Sequence, residues 1–91
     1  MDSSWIFKGY KLAMNIIHIE FCIKWNYGPE FDRVSKIIHN INSNIKITSN
    51  QNLPRSGAFE ITLDEKLIYS KFQTGKFPTE KEIVTILQEH P

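Results

Sequence analysis

The fold is decided by the stretch Ile19-Glu20-Phe21-Cys22-Ile23-Lys24-Trp25-Asn26-Tyr27. In this stretch an apolar strand leads into Cys22, the one cysteine of the chain, and a short loop and a helix follow. A two-layer α/β domain places a reactive thiol at such a strand end, where a following helix favours the thiolate. No second cysteine lies at the usual distance, so the stretch indicates the fold more clearly than the chemistry.

The residues on both sides of this stretch predict a strand and a helix. Residues 15–21 alternate between apolar and polar side chains over most of their length, which is typical of a strand. The helix is expected to begin at Gly28-Pro29, because proline fits the first helical turn, and to end in the turn-rich residues 40–44. One apolar stripe at three- and four-residue spacing supports this helix: Phe31, Val34, Ile37, Ile38 and Ile41.

The second half of the chain predicts three more strands and a final helix. Residues 45–48 and 58–63 have strand patterns, and Asp64-Glu65 is a turn that joins the latter to a strand over 66–71. After a loop over 74–78, Thr79 and Glu82 form the capping box of the last helix. The predicted fold class is α/β, in the order β-α-β-β-β-α, with a mixed four-stranded sheet and two helices.

Length, charge and cysteine content exclude several classes of protein. The 91 residues make one small domain, and eleven basic against ten acidic residues give a net charge of +1. A nucleic-acid-binding protein usually has a basic excess, and this chain has none. The lone cysteine excludes internal disulfides and favours a reducing compartment, so we expect a cytoplasmic protein. The sequence contains no apolar run of membrane-spanning length, so no membrane span is expected.

Residues 1–14 have no clean periodicity, although they contain Trp5, Ile6 and Phe7. We expect an N-terminal extension, either a peripheral strand at the domain edge or a disordered arm. Because Met14 directly precedes the first clear strand, residues 15–91 are predicted to form the domain proper.

Three motifs together resemble the selenoprotein W family, or Rdx family, of small thioredoxin-like proteins. The first is a strand followed by Phe21-Cys22-x-x-Trp25-x-Tyr27, and the second is Ser56-Gly57-Ala58-Phe59-Glu60-Ile61 with the strand after it. The third is Thr74-Gly75-Lys76-Phe77-Pro78 before the last helix. The resemblance covers residues 15–89 and implies a two-layer thioredoxin-like fold.

The resemblance also implies a function in cell redox homeostasis. Members carry Cys-x-x-Cys or Cys-x-x-selenocysteine after the first strand and are regarded as glutathione-linked thiol or selenol oxidoreductases. On this pattern Cys22 is the catalytic residue, and Trp25 occupies the second position of the motif. The resemblance therefore implies glutathione or protein thiols as partners, with glutathione as co-substrate and no bound cofactor.

Trp25 departs from the family pattern at the residue expected to be most reactive. A two-cysteine exchange needs a second sulfur to resolve the mixed disulfide, and the chain has none. Either Cys22 works alone as a weak monothiol oxidoreductase, with a second glutathione releasing the first, or it is an inert remnant. Lys24, Arg55 and Lys76 are candidate contacts for the carboxylates of glutathione, the alternative being ordinary solvated loop charges.

Three explanations for Trp25 remain open at this point. Its indole is an exposed binding anchor, or it packs beside Tyr27 and Phe77, or it is a UGA selenocysteine codon translated as tryptophan. A UGG codon at this position would exclude the third. The second function class follows from the first explanation, namely a redox-inactive binding or adaptor module with a protein partner. That module would use the loop around Trp25 and the Phe77-Pro78 segment as its contact surface.

No metal site is predicted from the sequence. The soft ligands are the single cysteine and three histidines, and no pair of them has a recognised spacing. They are Cys22, His18, His39 and His90. We expect His18 to be a structural residue near a face of the sheet and His39 to be exposed near a helix end.

Overall fold

The chain forms one four-stranded sheet with helices. The computed structural model describes residues 15–89, so the predicted N-terminal extension and His90 lie outside it. The elements are β1 (Ile16–Phe21), α1 (Gly28–Ile41), β2 (Lys46–Ser49), β3 (Phe59–Leu63), β4 (Lys66–Ser70), α2 (Lys71–Thr74) and α3 (Glu80–Glu89). β1 pairs parallel with β2 and antiparallel with β3, and β3 pairs antiparallel with β4. The sheet order is β2-β1-β3-β4, and the predicted mixed four-stranded sheet is confirmed.

One face of the sheet forms the core together with α1 and α3. Alternate residues of β1, Ile17 and Ile19, are fully buried, as the two-residue period of a strand requires. They belong to one cluster of buried side chains that both longer helices complete. The cluster also contains Val34, Ile38, Phe59, Ile61, Leu63, Ile83 and Leu87.

Polar side chains occupy the other face of the central strands. His18 lies there, and its Nδ1 is 2.7 Å from Oγ1 of Thr48 on β2. The predicted position of His18 near a face of the sheet is confirmed by this contact. His39 is exposed near the end of α1, as predicted, with Nε2 3.1 Å from the carbonyl oxygen of Ile45. Within residues 15–89, no helix is both long and apolar enough to cross a membrane.

The hairpin between β3 and β4 forms without the glycine that such turns usually contain. Both turn residues, Asp64 and Glu65, have positive φ angles, of 49° and 74°. Residues other than glycine seldom adopt this conformation unless other contacts hold it. The contacts here come from β1: the Asp64 side chain accepts the Ile16 N–H at 2.8 Å, and the Asp64 N–H donates to the Ile16 carbonyl at 2.8 Å. Asp64 therefore links the turn to the neighbouring strand.

The prediction was wrong at the end of β4. The strand ends at Ser70 rather than Lys71, and the short helix α2 occupies residues that were assigned partly to strand and partly to loop. The Ser70 hydroxyl caps this helix, and Gly75 ends it at a φ of 78°. Glu60, a buried residue of β3, accepts the N–H groups of Lys71 and Phe72 at 2.8 and 3.3 Å. A carboxylate distant in sequence therefore supports the first turn.

The predicted capping box of the last helix is confirmed. The Thr79 hydroxyl accepts the Glu82 N–H at 3.1 Å, and the Glu82 carboxylate accepts the Thr79 N–H at 2.8 Å. These reciprocal bonds satisfy two backbone donors that a helix start would otherwise leave without partners.

We expect Thr79→Ala to lower the free energy of unfolding by about 1 kcal/mol, because the helix loses its N-cap acceptor. For a domain of this size the melting temperature should fall by roughly 4–8 °C, measured by circular dichroism. The control is Thr85→Ala on the exposed side of α3, which should be neutral or slightly stabilising, since alanine favours helix. Equal losses in the two variants would contradict a capping role for Thr79.

Candidate functional site

The backbone that carries the thiol is held from both sides. Phe21, the last residue of β1, makes two hydrogen bonds with the Asn50 side chain. Asn50 Oδ1 accepts the Phe21 N–H at 2.9 Å, and Asn50 Nδ2 donates to the Phe21 carbonyl at 2.8 Å. On the opposite side Phe21 pairs with Phe59, and the Cys22 N–H donates to the Ala58 carbonyl at 2.9 Å. The Asn50 side chain thus makes the hydrogen bonds that a neighbouring strand would make, and the backbone at Cys22 is held in place.

A tight turn follows the thiol directly. The Asn26 N–H donates to the Ile23 carbonyl at 2.9 Å, and the Tyr27 N–H donates to the Cys22 carbonyl at 3.1 Å. Asn26 adopts a left-handed conformation at a φ of 60°, which asparagine tolerates better than most residues. The turn therefore closes around Cys22, and α1 begins immediately after it.

The Cys22 thiol is buried, and its surroundings lower its pKa. Cys22 is only 1% exposed. Burial acts to raise the thiol pKa, but the backbone N–H groups of Gly57, Trp25 and Lys24 lower it, and the Lys24 charge adds to their effect. The net pKa lies below the usual range of a cysteine. The site therefore stabilises the nucleophilic form of the sulfur while restricting access to it.

The loop before β3 supplies one of these N–H groups. The Ala58 N–H donates to the Arg55 carbonyl at 3.2 Å, and Gly57 lies in this turn at a φ of 76°, a conformation that favours glycine. The loop is anchored to β1, because the Glu20 carboxylate accepts both the Arg55 backbone N–H and its guanidinium at 2.8 Å. Glu20 and Arg55 therefore position Gly57 beside the sulfur.

Two of the three predicted glutathione contacts already have acidic partners. The bond from Arg55 lowers the pKa of Glu20, and the ion pair with Glu82 at 2.9 Å raises the pKa of Lys76. Lys24 is exposed and makes no ion pair within the described residues. Of the three, Lys24 is the residue whose charge acts on the Cys22 thiol.

Trp25 is exposed, as the predicted contact surface requires, but Pro78 is not, so the prediction is wrong at Pro78. Trp25 is 62% exposed, and its indole Nε1 donates to the Ser56 hydroxyl at 3.2 Å. Phe77 instead packs edge-on against Tyr27, with ring centroids 4.8 Å apart, and Pro78 is fully buried. The buried proline cannot contact a partner, and its carbonyl accepts a hydrogen bond from the Arg33 guanidinium of α1 at 2.7 Å.

Two residues at this end of the molecule were not predicted as site residues. The Lys71 ammonium lies 5.4 Å from the Tyr27 ring centroid and 5.6 Å from that of Phe77. Phe72 is half exposed, and the Arg55 guanidinium lies 4.9 Å from its ring centroid. The predicted strand ended at Lys71 and Phe72 was assigned to no element, although Ser70 and Gly75 are recognisable cap residues for a short helix.

Within residues 15–89, no three acidic, histidine or cysteine side chains form a group that could hold a metal ion. The described histidines have the separate contacts reported above, and neither contact involves the thiol.

The family of the protein follows from a family model that matches residues 16–89, described as the Rdx family. The chain belongs to the Rdx family. A thioredoxin reductase-like selenoprotein T homologue of Drosophila melanogaster is 49% identical over 35 residues, which are 38% of this chain and 18% of that protein. Migration and invasion enhancer 1 of Bos taurus is 28% identical over 72 residues, which are 79% of this chain and 61% of that protein. The chain thus matches less than two thirds of either relative.

Solved structures confirm the predicted fold class. A selenoprotein W-related protein from Vibrio cholerae superposes with a TM-score of 0.71 at 23% identity, covering 84% of this chain and 95% of that one. A protein from Bordetella parapertussis gives a TM-score of 0.75 at 15% identity, covering 86% and 99%. At these identities the likeness shows the fold alone. The Rdx chain therefore has the thioredoxin-like fold that its three motifs predicted.

We expect the hydrogen bond between Trp25 and Ser56 to slow modification of Cys22, because it joins the two loops whose backbones surround the sulfur. Trp25→Phe and Ser56→Ala each remove one partner of this bond. The rate of reaction with a thiol-specific reagent should rise about two- to fivefold in each, as the loss of one modest hydrogen bond implies. The double variant should add little to either.

The control for this measurement is Ile41→Ala, which removes an exposed apolar side chain at the end of α1 that lies away from the thiol turn. Its thiol should react at the wild-type rate. Unchanged rates in the Trp25 and Ser56 variants would show that the bond does not restrict access.

We expect the alkylation rate of Cys22 to follow a pH profile with a midpoint below that of the same thiol in an unstructured peptide. Lys24→Gln should move this midpoint upward, since it removes a positive charge that favours the thiolate. Because the folded pKa is the lower one, the thiolate stabilises the fold at alkaline pH, and this contribution is lost as the pH falls through the folded pKa.

The matched control for the pH profile is Lys36→Gln, an exposed lysine on α1. The Lys36 variant should keep the wild-type midpoint. A Lys24→Gln midpoint that stays in place or moves downward would contradict an effect of the Lys24 charge.

Proposed function

We propose that this Rdx protein is a glutathione-linked thiol redox protein that acts through Cys22 alone. One observation carries the proposal: three backbone N–H groups and the Lys24 charge lower the pKa of a sulfur held at the end of β1. A lowered pKa raises the thiolate fraction at neutral pH, and the thiolate is the form that attacks a disulfide. Membership of the Rdx family supports the same assignment. The expected location is a reducing compartment such as the cytosol.

The proposed cycle needs one protein sulfur and two glutathione molecules. The Cys22 thiolate attacks the glutathione sulfur of a protein–glutathione mixed disulfide, forming a Cys22–glutathione disulfide and releasing the protein thiolate, which takes a proton from water. The thiolate of a second glutathione then attacks the glutathione sulfur bound to Cys22. Glutathione disulfide leaves and the Cys22 thiolate is regenerated. Each step breaks one disulfide and forms one, so no further oxidant or reductant is needed.

The burial of Cys22 places one condition on this cycle. Because Cys22 is only 1% exposed, we infer that the reaction requires the turn over residues 23–26 to move away from the loop that contains Gly57. Both segments are short and surface-located, and such segments open at lower cost than the core strands. Loop opening is therefore part of the proposed reaction.

The test is to incubate the folded protein with glutathione disulfide and measure its intact mass. We expect the mass to increase by one glutathionyl group, to be restored by reduced glutathione, and to remain constant in Cys22→Ser. A short cysteine peptide of residues 19–27 is the matched control for reagent activity. If the peptide is modified and the folded protein is not, the monothiol cycle is wrong and the binding-module alternative is favoured.

A further inference from the structure

Exposed and half-buried side chains lie together on the two loops next to the thiol and at the start of α2. We call this group the basic-aromatic surface and define it as Ile23, Lys24, Trp25, Arg55, Lys71 and Phe72. The contacts described above join its parts: Trp25 bonds to Ser56, which is adjacent to Arg55 in the chain, and Arg55 covers the Phe72 ring. Ile23 and Trp25 are each 62% exposed and Phe72 is 51% exposed. Exposed large apolar side chains in one cluster are typical of an interaction surface.

The charge of the basic-aromatic surface is positive and incompletely balanced. Glu20 neutralises Arg55. Lys24 and Lys71 make no ion pair within residues 15–89, and Lys71 lies over two aromatic rings. The Glu60 carboxylate, which accepts the Lys71 N–H at 2.8 Å, is a second acidic group here, so three basic side chains face two acidic ones and a positive excess remains. Charge complementarity therefore favours a negatively charged partner.

Three other occupants fit this surface less well. A second copy of the chain would bring the unpaired lysines of both copies together, which costs free energy. Glutathione has no large apolar group that would cover Trp25 or Phe72. Recognition of an anionic membrane usually needs about four to eight basic residues, and this surface has two that are unpaired.

We propose that the basic-aromatic surface docks an extended acidic protein segment that also carries large apolar side chains. Its carboxylates would pair with Lys24 and Lys71, and its apolar side chains would cover Ile23, Trp25 and Phe72. The inference rests on the proposed function in one respect: the docked segment presents its glutathione mixed disulfide to Cys22. Proteins with such an acidic segment would then be the class of substrate that the site selects.

The test separates docking from redox chemistry by removing the thiols. The full chain carrying Cys22→Ser is titrated into a fluorescein-labelled, cysteine-free peptide of glutamate, leucine and glycine, and binding is followed by fluorescence anisotropy. A peptide with lysine in place of each glutamate is the matched probe. We expect the acidic peptide to bind, the basic peptide to remain free, and the affinity to fall as salt is added.

Two charge-reversal variants locate the interaction. Lys24→Glu combined with Lys71→Glu should weaken binding of the acidic peptide at least about fivefold, given the usual strength of two exposed ion pairs. Lys36→Glu combined with Lys81→Glu changes the net charge equally at exposed positions on α1 and α3, and it should retain the wild-type affinity. Trp25→Ala should also weaken binding, and circular dichroism checks that each variant is folded.

The following results would overturn the docking proposal. They are equal losses in the two charge-reversal variants, equal binding of the acidic and basic peptides, or binding of phosphatidylserine vesicles without binding of the acidic peptide. None of them bears on the redox proposal, because neither the peptide nor the Cys22→Ser chain has a thiol. If wild-type protein is glutathionylated and the acidic peptide does not bind, docking fails and the monothiol cycle stands.

Discussion

The site depends on the hydrogen bonds that fix the end of β1. The Asn50 side chain satisfies both backbone groups of Phe21 on one side, and on the other side the Ala58 carbonyl accepts the Cys22 N–H next to the Phe21–Phe59 pair. Without Asn50 the last residue of β1 would have free N–H and C=O groups next to a buried thiol, which is unfavourable. Because the strand end is fixed, the turn that follows and the loop around Gly57 can both direct N–H groups at one sulfur.

Two opposing effects meet at that sulfur. Burial disfavours the charged form, whereas nearby N–H dipoles and a positive charge favour it, and here the second group of effects is larger. The N–H groups belong to the same segments that cover the sulfur. Stabilisation of the thiolate and restriction of access therefore have one structural origin. A more open turn would expose the thiol but would also remove the dipoles that activate it.

The sequence predicted the features that depend on local pattern and missed those that depend on distant partners. Alternation in β1, the apolar stripe of α1 and the spacing of Thr79 and Glu82 are local signals, and each predicted element exists. The pairing of Arg55 with Glu20 spans 35 residues, so the loop charge could not be recognised as already neutralised. The first turn of α2 is likewise supported by Glu60 of β3, and the hairpin turn is supported by the bond between Asp64 and β1. Burial of Pro78 depends on how the helices pack, which the spacing of its loop does not indicate.

The absence of a second cysteine changes what the rest of the scaffold must do. In a two-cysteine site the neighbouring sulfur resolves the mixed disulfide, and it does so irrespective of the partner. With one cysteine, resolution depends on a thiol from solution, so the lifetime of the mixed disulfide depends on how readily that thiol reaches the site. In the proposed monothiol cycle the side chain at residue 25 would act through access and contact rather than as a resolving thiol. An indole that is exposed and bonded to the opposite loop is suited to both roles. If the proposed cycle operates, its selectivity would reside in the surface around the sulfur, where Lys24, Trp25 and Lys71 lie.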